Sequence, residues 1–383
     1  MSGAEFDVGS DTDTVIGWDI GGAHVKACLR VDGAVRDVAQ WACPLWQGLQ
    51  HLDAALADAQ RRWPQWLGSA AHAVTMTGEM VDLFTDREDG VRRISALLAQ
   101  RLGGPVWIYA GPGQWVAPAD AAAHWPQIAS ANWRATAQHA AAVLGRGLLI
   151  DIGSTTTDLI AFDRGQVLGN SVSDRHRLAS GELVYQGVVR TPLCALAPRI
   201  VLQGEVLNVM NEFFATTADV YRLSGELDPA HDLYPSADNA DKGLPATRAR
   251  LARMVGCDVR DASAAEWLAF AHAWRAAQLD ELAGQALRVL QRHDLDPAGL
   301  RVVAAGCGAF LVPELMALIR RRGGHHETRE SVNDCIDYGH AVARIEAGAG
   351  HDERARWARV CAPSVAVATL YRPGRQPKSP EVR

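Results

Sequence analysis

The chain has 383 residues, 48% of them hydrophobic and 21% charged, more than one core normally organises, so two domains are expected. A formal charge of -6 argues against a nucleic-acid surface, which carries a basic excess. No apolar run nears the ~20 residues that cross a bilayer, so no membrane partner is expected.

Residues 1–13, MSGAEFDVGSDTD, are acidic and polar, the reverse of a signal peptide, and read as a disordered leader. Cysteines 28, 43, 194, 257, 307, 335 and 361 show neither a CxxC pair nor a repeated spacing. That pattern predicts reduced thiols in a cytoplasmic protein and no structural zinc. From residue 14, apolar segments at 14–20, 25–31 and 34–42 are separated by Gly21-Gly22 and Asp32-Gly33, which predicts a three-stranded antiparallel start. A helix is expected over 47–62, a strand over 71–78, a helix over 88–102, a strand over 105–110 and an alanine-rich helix over 130–145.

Near residue 147 the same grammar restarts. GLLIDIG, TTTDLIAF and GQVLGNSVS again give strand, polar turn, strand, turn and strand, so DIGG near residue 20 and DIGS near residue 152 form a degenerate repeat. The expected division is a first domain over 14–145 and a second over 146–371, with a largely helical insertion at about 178–292. A strand LRVVAAG, a helix over 309–322, a helix over 333–347 and a flexible tail over 372–383 complete the reading.

Three turns carry chemistry. In the first, Asp19 precedes Gly21 and Gly22, and Lys26 follows; glycine lets backbone N–H groups approach an oxyanion, Asp19 suits a hydrated Mg²⁺ and Lys26 offsets phosphate charge. Alternation along the strands does not decide whether Lys26 faces the same side as Asp19. In the second, Gly153, Ser154, Thr155, Thr156 and Thr157 lie between Asp151 and Asp158, offering hydroxyl donors to phosphate beside a second metal-binding carboxylate, Asp151. In the third, Gly306 and Gly308 flank Cys307 between a strand and a helix, where bare backbone can meet a ligand; Cys307 reads as a small residue tucked into the turn. GxGxxG in a dinucleotide context, GxxxxGK[ST] and HExxH are all lacking.

DIGG, DIGS and AAGCG together resemble the actin, hexokinase and Hsp70 superfamily, whose two phosphate loops correspond to Asp19–Lys26 and Asp151–Asp158 and whose adenosine-side loop corresponds to Ala305–Gly308. DIGSTTTDLI, LASGELVYQGVVRTPLCAL and NEFFATTADVYRLSG narrow the resemblance to the hydantoinase/oxoprolinase-like group. Within it the chain is most similar to the tetrahydromethanopterin-linked one-carbon-transfer family, whose archaeal members build the furan-methanamine-to-tyramine ether of methanofuran. The resemblance implies an α/β fold of two ribonuclease-H-like (actin-like ATPase) domains around a central cleft. It also implies a transferase that joins a furanylmethyl diphosphate to the phenol oxygen of a tyramine or tyrosine derivative, releasing diphosphate. Alternatives are an ATP-dependent kinase or amide hydrolase, and a non-catalytic nucleotide-responsive partner.

On this reading Asp19 and Asp151 hold Mg²⁺, while Lys26 and the first two turns take the diphosphate oxygens. Gly306 and Gly308 line the distal wall. ATP enters only under the alternative. For a general base, a helix over 211–222 would put Glu212, Thr216 and Asp219 on one face. Glu182 is a further candidate, Tyr185 could stack on a ring and Arg190 could grip an acceptor carboxylate. Each also has an ordinary structural role open to it, and a homodimer is left open.

Overall fold

The computed structural model describes residues 13–169, 173–325 and 334–372. The leader and the tail therefore lie outside the described residues except at Asp13 and Arg372. Strand β1 (Thr14–Ile20) is buried along its whole length, as a strand covered on both faces must be. It pairs antiparallel with β2 (His24–Val31), which pairs antiparallel with β3 (Ala34–Ala42). Helix α1 (Gln50–Arg62) leads to β4 (Ala71–Met76), parallel to β1, and α2 (Arg87–Arg101) leads to β5 (Val106–Tyr109), parallel to β4. The short β6 (Trp115–Val116) closes a sheet of order β3-β2-β1-β4-β5-β6.

After α3 (Trp125–Ile128) and α4 (Asn132–Leu144), the plan repeats. β7 (Gly147–Ile152) pairs antiparallel with β8 (Thr157–Asp163), which carries β9 (Gln166–Val167) and, after α5 (Asp174–Ser180), β10 (Leu183–Val184). The next span holds α6 (Leu193–Leu196), a separate hairpin of β11 (Arg199–Leu202) and β12 (Glu205–Asn208), α7 (Thr217–Ser224), α8 (Leu244–Arg253) and α9 (Ala264–Arg292). In α9, Trp267, Phe270, Ala271, Trp274, Gln278, Leu282 and Ala286 recur at three- and four-residue spacing and bury one face. β13 (Val302–Ala305) then pairs parallel with β7, and β14 (Cys335–Asp337) parallel with β13. The second sheet has the order β10-β8-β7-β13-β14. Each sheet is thus an antiparallel arm joined through its first strand to parallel strands, the two-sheet α/β plan that the resemblance implies.

Several expected elements differ. The helix expected over 333–347 is β14 followed by a π-helical turn, Tyr338–Val342; Asn333 lies outside the described residues. Pairing with β13 overrides local propensity there. Asp334 pairs with Arg320 at 2.7 Å. Helix α10 (Val312–Arg322) starts after a 3-10 turn at Ala309–Leu311.

Two terminal helices, α11 (His351–Val360) and α12 (Ala362–Leu370), return to the first sheet. α12 lies on β1 at Gly17, where an added Cβ would stand 2.0 Å from the Ser364 carbonyl oxygen. Val365, Ala366 and Ala368 share a core with Val15, Ala73, Ala137, Leu149 and Val303, so this core spans both sheets. Among the described residues no helix is long and apolar enough to cross a membrane.

Candidate active site at the paired turns

The two polar turns have the same local geometry. Gly21 N–H donates to the His24 carbonyl at 2.9 Å, and Gly153 N–H donates to the Thr156 carbonyl at 2.8 Å. A Cβ at Gly21 would lie 2.7 Å from that His24 oxygen, so the tight turn requires glycine. Both turns line one cleft of about 590 Å³, together with Asp19, Lys26, Asp151, Asp158, Arg177 and Arg190.

Sheet register brings the charges together. Asp19 stands opposite Lys26 on β1 and β2, and Asp151 stands opposite Asp158 on β7 and β8. Lys26 Nζ donates to the Val360 carbonyl at 3.0 Å, so the C-terminal end of α11 holds this cation at the cleft floor. Burial pushes the Asp19 carboxyl up to about 6, against the pull of Lys26 and of Asn132, whose Nδ2 donates at 3.4 Å. Burial and the neighbouring Asp158 push Asp151 up to about 7, again against Lys26. Burial alone would lower Lys26, but the negative charge around it, Asp19 foremost, leaves it raised.

Like charges directly opposite in a sheet repel. Asp158 escapes this through Arg177, whose Nη2 donates to its Oδ1 while Nη1 donates to Asp174 Oδ1 at 3.2 Å. The Arg177 guanidinium also stacks over Trp133 at 4.4 Å. A counter-charge for Asp158 is thus built into the protein. Asp19 and Asp151 are left facing Lys26. Among the described residues no group of three or more His, Cys, Asp or Glu is placed to hold a metal ion. Two poorly solvated carboxylates do suit Mg²⁺, which commonly takes one or two carboxylates and completes its shell with waters and substrate phosphate.

The segment 187–190 fixes the second turn. Val188 N–H donates to the Gly153 carbonyl, and the Val189 and Arg190 N–H groups donate to Ser154. The Arg190 side chain lies over Trp46 at 5.2 Å and Tyr234 at 5.8 Å, and among the described residues it forms no ion pair. Tyr234 O–H donates to the Ala23 carbonyl, so the insertion also grips the first turn. His24 meets Tyr234 edge-on at 5.4 Å; burial, then Lys26, lowers its pKa to about 3 and keeps it neutral.

Several expected site residues sit elsewhere. Thr157 is buried, and its hydroxyl donates to the Gln186 carbonyl at 2.7 Å, out of the cleft. Gly306 and Gly308 buttress the end of β7 instead of lining a distal wall. A Cβ at Gly306 would meet the Ile152 oxygen at 2.1 Å and Asp151 Oδ1 at 2.5 Å, and one at Gly308 would strike Ile152 and Val188. Burial pushes the Cys307 thiol between them up to about 11, which suits packing and not nucleophilic attack.

None of the three base candidates lines the cleft. α7 begins at Thr217, so Glu212 is exposed in the preceding bends. Asp219 closes a capping box, its Oδ2 accepting from Thr216 N–H at 3.1 Å while its Oδ1 accepts from Arg222 and Arg250 at 2.7 Å each. Glu182 is buried 3.7 Å from His293. Phe213 is also exposed, whereas Tyr185 is exposed at the cleft wall.

The sequence reading did not single out Asn132, Ser130, Asp174, Arg177, His24, Trp46 or Tyr234. The signal T-x-x-D at Thr216–Asp219 marks the start of α7 and would have moved the helix off Glu212. No comparable local signal marks Tyr234, which arrives from more than 200 residues away.

The hydantoinase/oxoprolinase family model matches residues 70–344. The chain is 26% identical over 303 residues to a (4-{4-[2-(gamma-L-glutamylamino)ethyl]phenoxymethyl}furan-2-yl)methanamine synthase of Methanocaldococcus jannaschii, covering 79% of this chain and 88% of that protein. It is 30% identical over 174 residues to a protein of the same description from Methanococcus vannielii, covering 44% and 74%. Among solved structures, nucleotide-free acetone carboxylase aligns with a TM-score of 0.47 at 11% identity, over 82% of this chain and 68% of that one.

Proposed function

The chain belongs to the hydantoinase/oxoprolinase family, and on that premise we propose that it is a transferase that forms an aryl-alkyl ether with release of diphosphate. The product that names its two relatives joins a phenol oxygen to a furanylmethyl carbon. The donor in this reading is a furanylmethyl diphosphate, and the acceptor is tyramine, γ-glutamyltyramine or tyrosine. One observation carries it: two turns of the same geometry face one cleft, which Asp19, Asp151 and Lys26 all line.

The phenol oxygen attacks the CH₂ carbon and forms the ether bond. The bond from that carbon to the diphosphate oxygen breaks, and its electron pair leaves with diphosphate. Charge therefore grows on the leaving group, and groups preorganised around it favour the transition state over the ground state. Lys26 supplies a fixed cation, and the backbone at Gly21, Gly22 and Gly153 with the hydroxyls of Ser154, Thr155 and Thr156 supplies donors. Asp19 and Asp151 would hold Mg²⁺, which when bound neutralises diphosphate charge. Arg190, stacked on Trp46 and Tyr234 and without an ion pair among the described residues, is placed to meet an anionic part of either substrate. We place the enzyme in the cytoplasm, where its seven free cysteines stay reduced.

The assay is direct. Folded protein with Mg²⁺, furanylmethyl diphosphate and each of the three acceptors should yield ether and diphosphate in equal amounts. ADP formation from ATP with a hydroxyl or amide substrate, and no ether with any acceptor, would replace this reading with a kinase or hydrolase.

A further inference from the structure

Ether formation needs an acceptor for the phenol proton, and the expected carboxylates at 182, 212 and 219 do not reach the cleft. Another carboxylate lies directly behind its wall. Glu79 follows β4 in a 3-10 turn, Gly78–Met80, and is 1% exposed. Its Oε1 accepts from Ser130 Oγ at 2.8 Å, and its Oε2 is buried with no hydrogen-bond partner. Ser130 itself lines the cleft two residues before Asn132, which donates to Asp19.

Neither residue has an evident structural reason to be there. Burying a carboxyl with no direct counter-charge is costly, and glutamine would make the same bond to Ser130 without a charge. Ser130 is held at φ 53°, a left-handed conformation that serine seldom adopts and glycine adopts freely. Backbone strain at a non-glycine residue persists where the surroundings impose it, commonly at functional sites. Gly90 of α2 lets the Glu79 backbone pack closely, since a Cβ there would lie 2.5 Å from the Glu79 backbone carbonyl oxygen.

We infer that Ser130 and Glu79 form the relay that takes the proton of the acceptor phenol as the ether bond forms. The inference rests on the transferase reading above. As the phenol oxygen attacks carbon, its proton passes to Ser130 Oγ while the Ser130 hydroxyl proton passes to Glu79 Oε1. Glu79 returns the proton to water as product leaves. Ser130 touches the substrate; Glu79 acts through it. The charged groups facing Glu79 are Arg87 and Asp174, which pair with each other at 3.1 Å and pull in opposite directions. Burial dominates and pushes Glu79 up to about 7, close to the range in which a base works at neutral pH.

The test compares wild type, Glu79→Gln and Ser130→Gly by kcat/KM for ether formation from about pH 5 to about pH 9. Two acceptors are used: tyramine and a ring-fluorinated tyramine whose phenol is more acidic. Wild type should rise with pH through about 7. Both variants should lose that limb and fall ~10²-fold or more with tyramine at neutral pH. The loss should shrink at least about tenfold with the fluorinated phenol, because a more acidic nucleophile needs its base less. Ser130→Gly relieves the backbone, which offsets the lost hydrogen bond to Glu79, whereas Glu79→Gln keeps that bond, so a folding defect in one variant does not remove the test. A folded Ser130→Gly variant that keeps the wild-type profile, or loses activity equally with both acceptors, overturns the relay alone. A wild type that makes no ether overturns the transferase reading first.

Discussion

Asp151 is the residue on which the chemistry turns. It is desolvated at the end of β7, backed by Gly306 and opposite Asp158, which is itself paired with Arg177. Asp151→Asn keeps the shape and removes the charge, so turnover should fall by ~10²-fold or more while the thermal midpoint stays near wild type. Unchanged kinetics would take Asp151 out of the metal-binding role. Neighbouring threonines separate cleft from core. Thr156 lines the cleft, whereas Thr157 ties β8 to the Gln186 carbonyl. Thr156→Val should weaken diphosphate binding roughly tenfold with little loss of stability, and Thr157→Val should cost ~1 kcal/mol of stability with diphosphate affinity retained. Isothermal titration with diphosphate and Mg²⁺, alongside urea melts, separates the two. The sequence made the turn residues legible because glycine, threonine and aspartate cluster there for reasons of backbone geometry. It could not distinguish Thr156 from Thr157, since that depends on which side of the strand end faces the insertion.

At the scale of elements, α7 shows how a capping box determines which acids are free. Asp219 is spent on the N-terminus of α7 and on two guanidinium groups, Arg222 and the fully buried Arg250. Asp219→Ala should destabilise the fold by ~1–3 kcal/mol, because it removes the cap and one of the two carboxylates on each guanidinium, leaving Arg222 with Asp232 and Arg250 with Asp238, while any folded fraction keeps its turnover. A selective loss of kcat in a fully stable variant would return Asp219 to the list of bases. The first hairpin, α1, α2 and β13 lie within a few residues of their expected spans, because alternation, Asp-Gly and helical spacing are local signals. The misread element was decided by a distant partner: Cys335–Asp337 becomes a strand because β13 offers an edge. The helices after residue 350 were not anticipated, and α12 takes its place from Gly17 and the face of β1.

For the whole molecule, the active cleft is assembled from parts that the sequence keeps far apart. α11 supplies the carbonyl that holds Lys26, Tyr234 supplies the hydroxyl that grips the first turn, and α12 joins cores across both sheets. Buried neutral histidines make this assembly sensitive to acid. His72 links β1 to β4 by accepting from Trp18 Nε1 at 3.0 Å, and its other nitrogen meets the Leu67 carbonyl at 3.0 Å. Burial lowers it from 6.5 to about 4. The unfolded chain therefore binds the proton first, so the contribution is intact above about 6.5 and is lost as pH falls through about 4. His72→Gln can reproduce both hydrogen bonds without titrating, and in urea melts it should lose less stability than wild type across that window. Parallel curves would mean that His72 does not carry this dependence.

The most direct measurement is a crystal structure with Mg²⁺ and a methylene-bridged analogue of furanylmethyl diphosphate. The diphosphate group should lie against Gly21, Gly22 and Ser154–Thr156, the cation between Asp19 and Asp151, and the reacting CH₂ within reach of an acceptor seated near Ser130. A diphosphate bound on another surface, or a cation that touches neither aspartate, would contradict this arrangement.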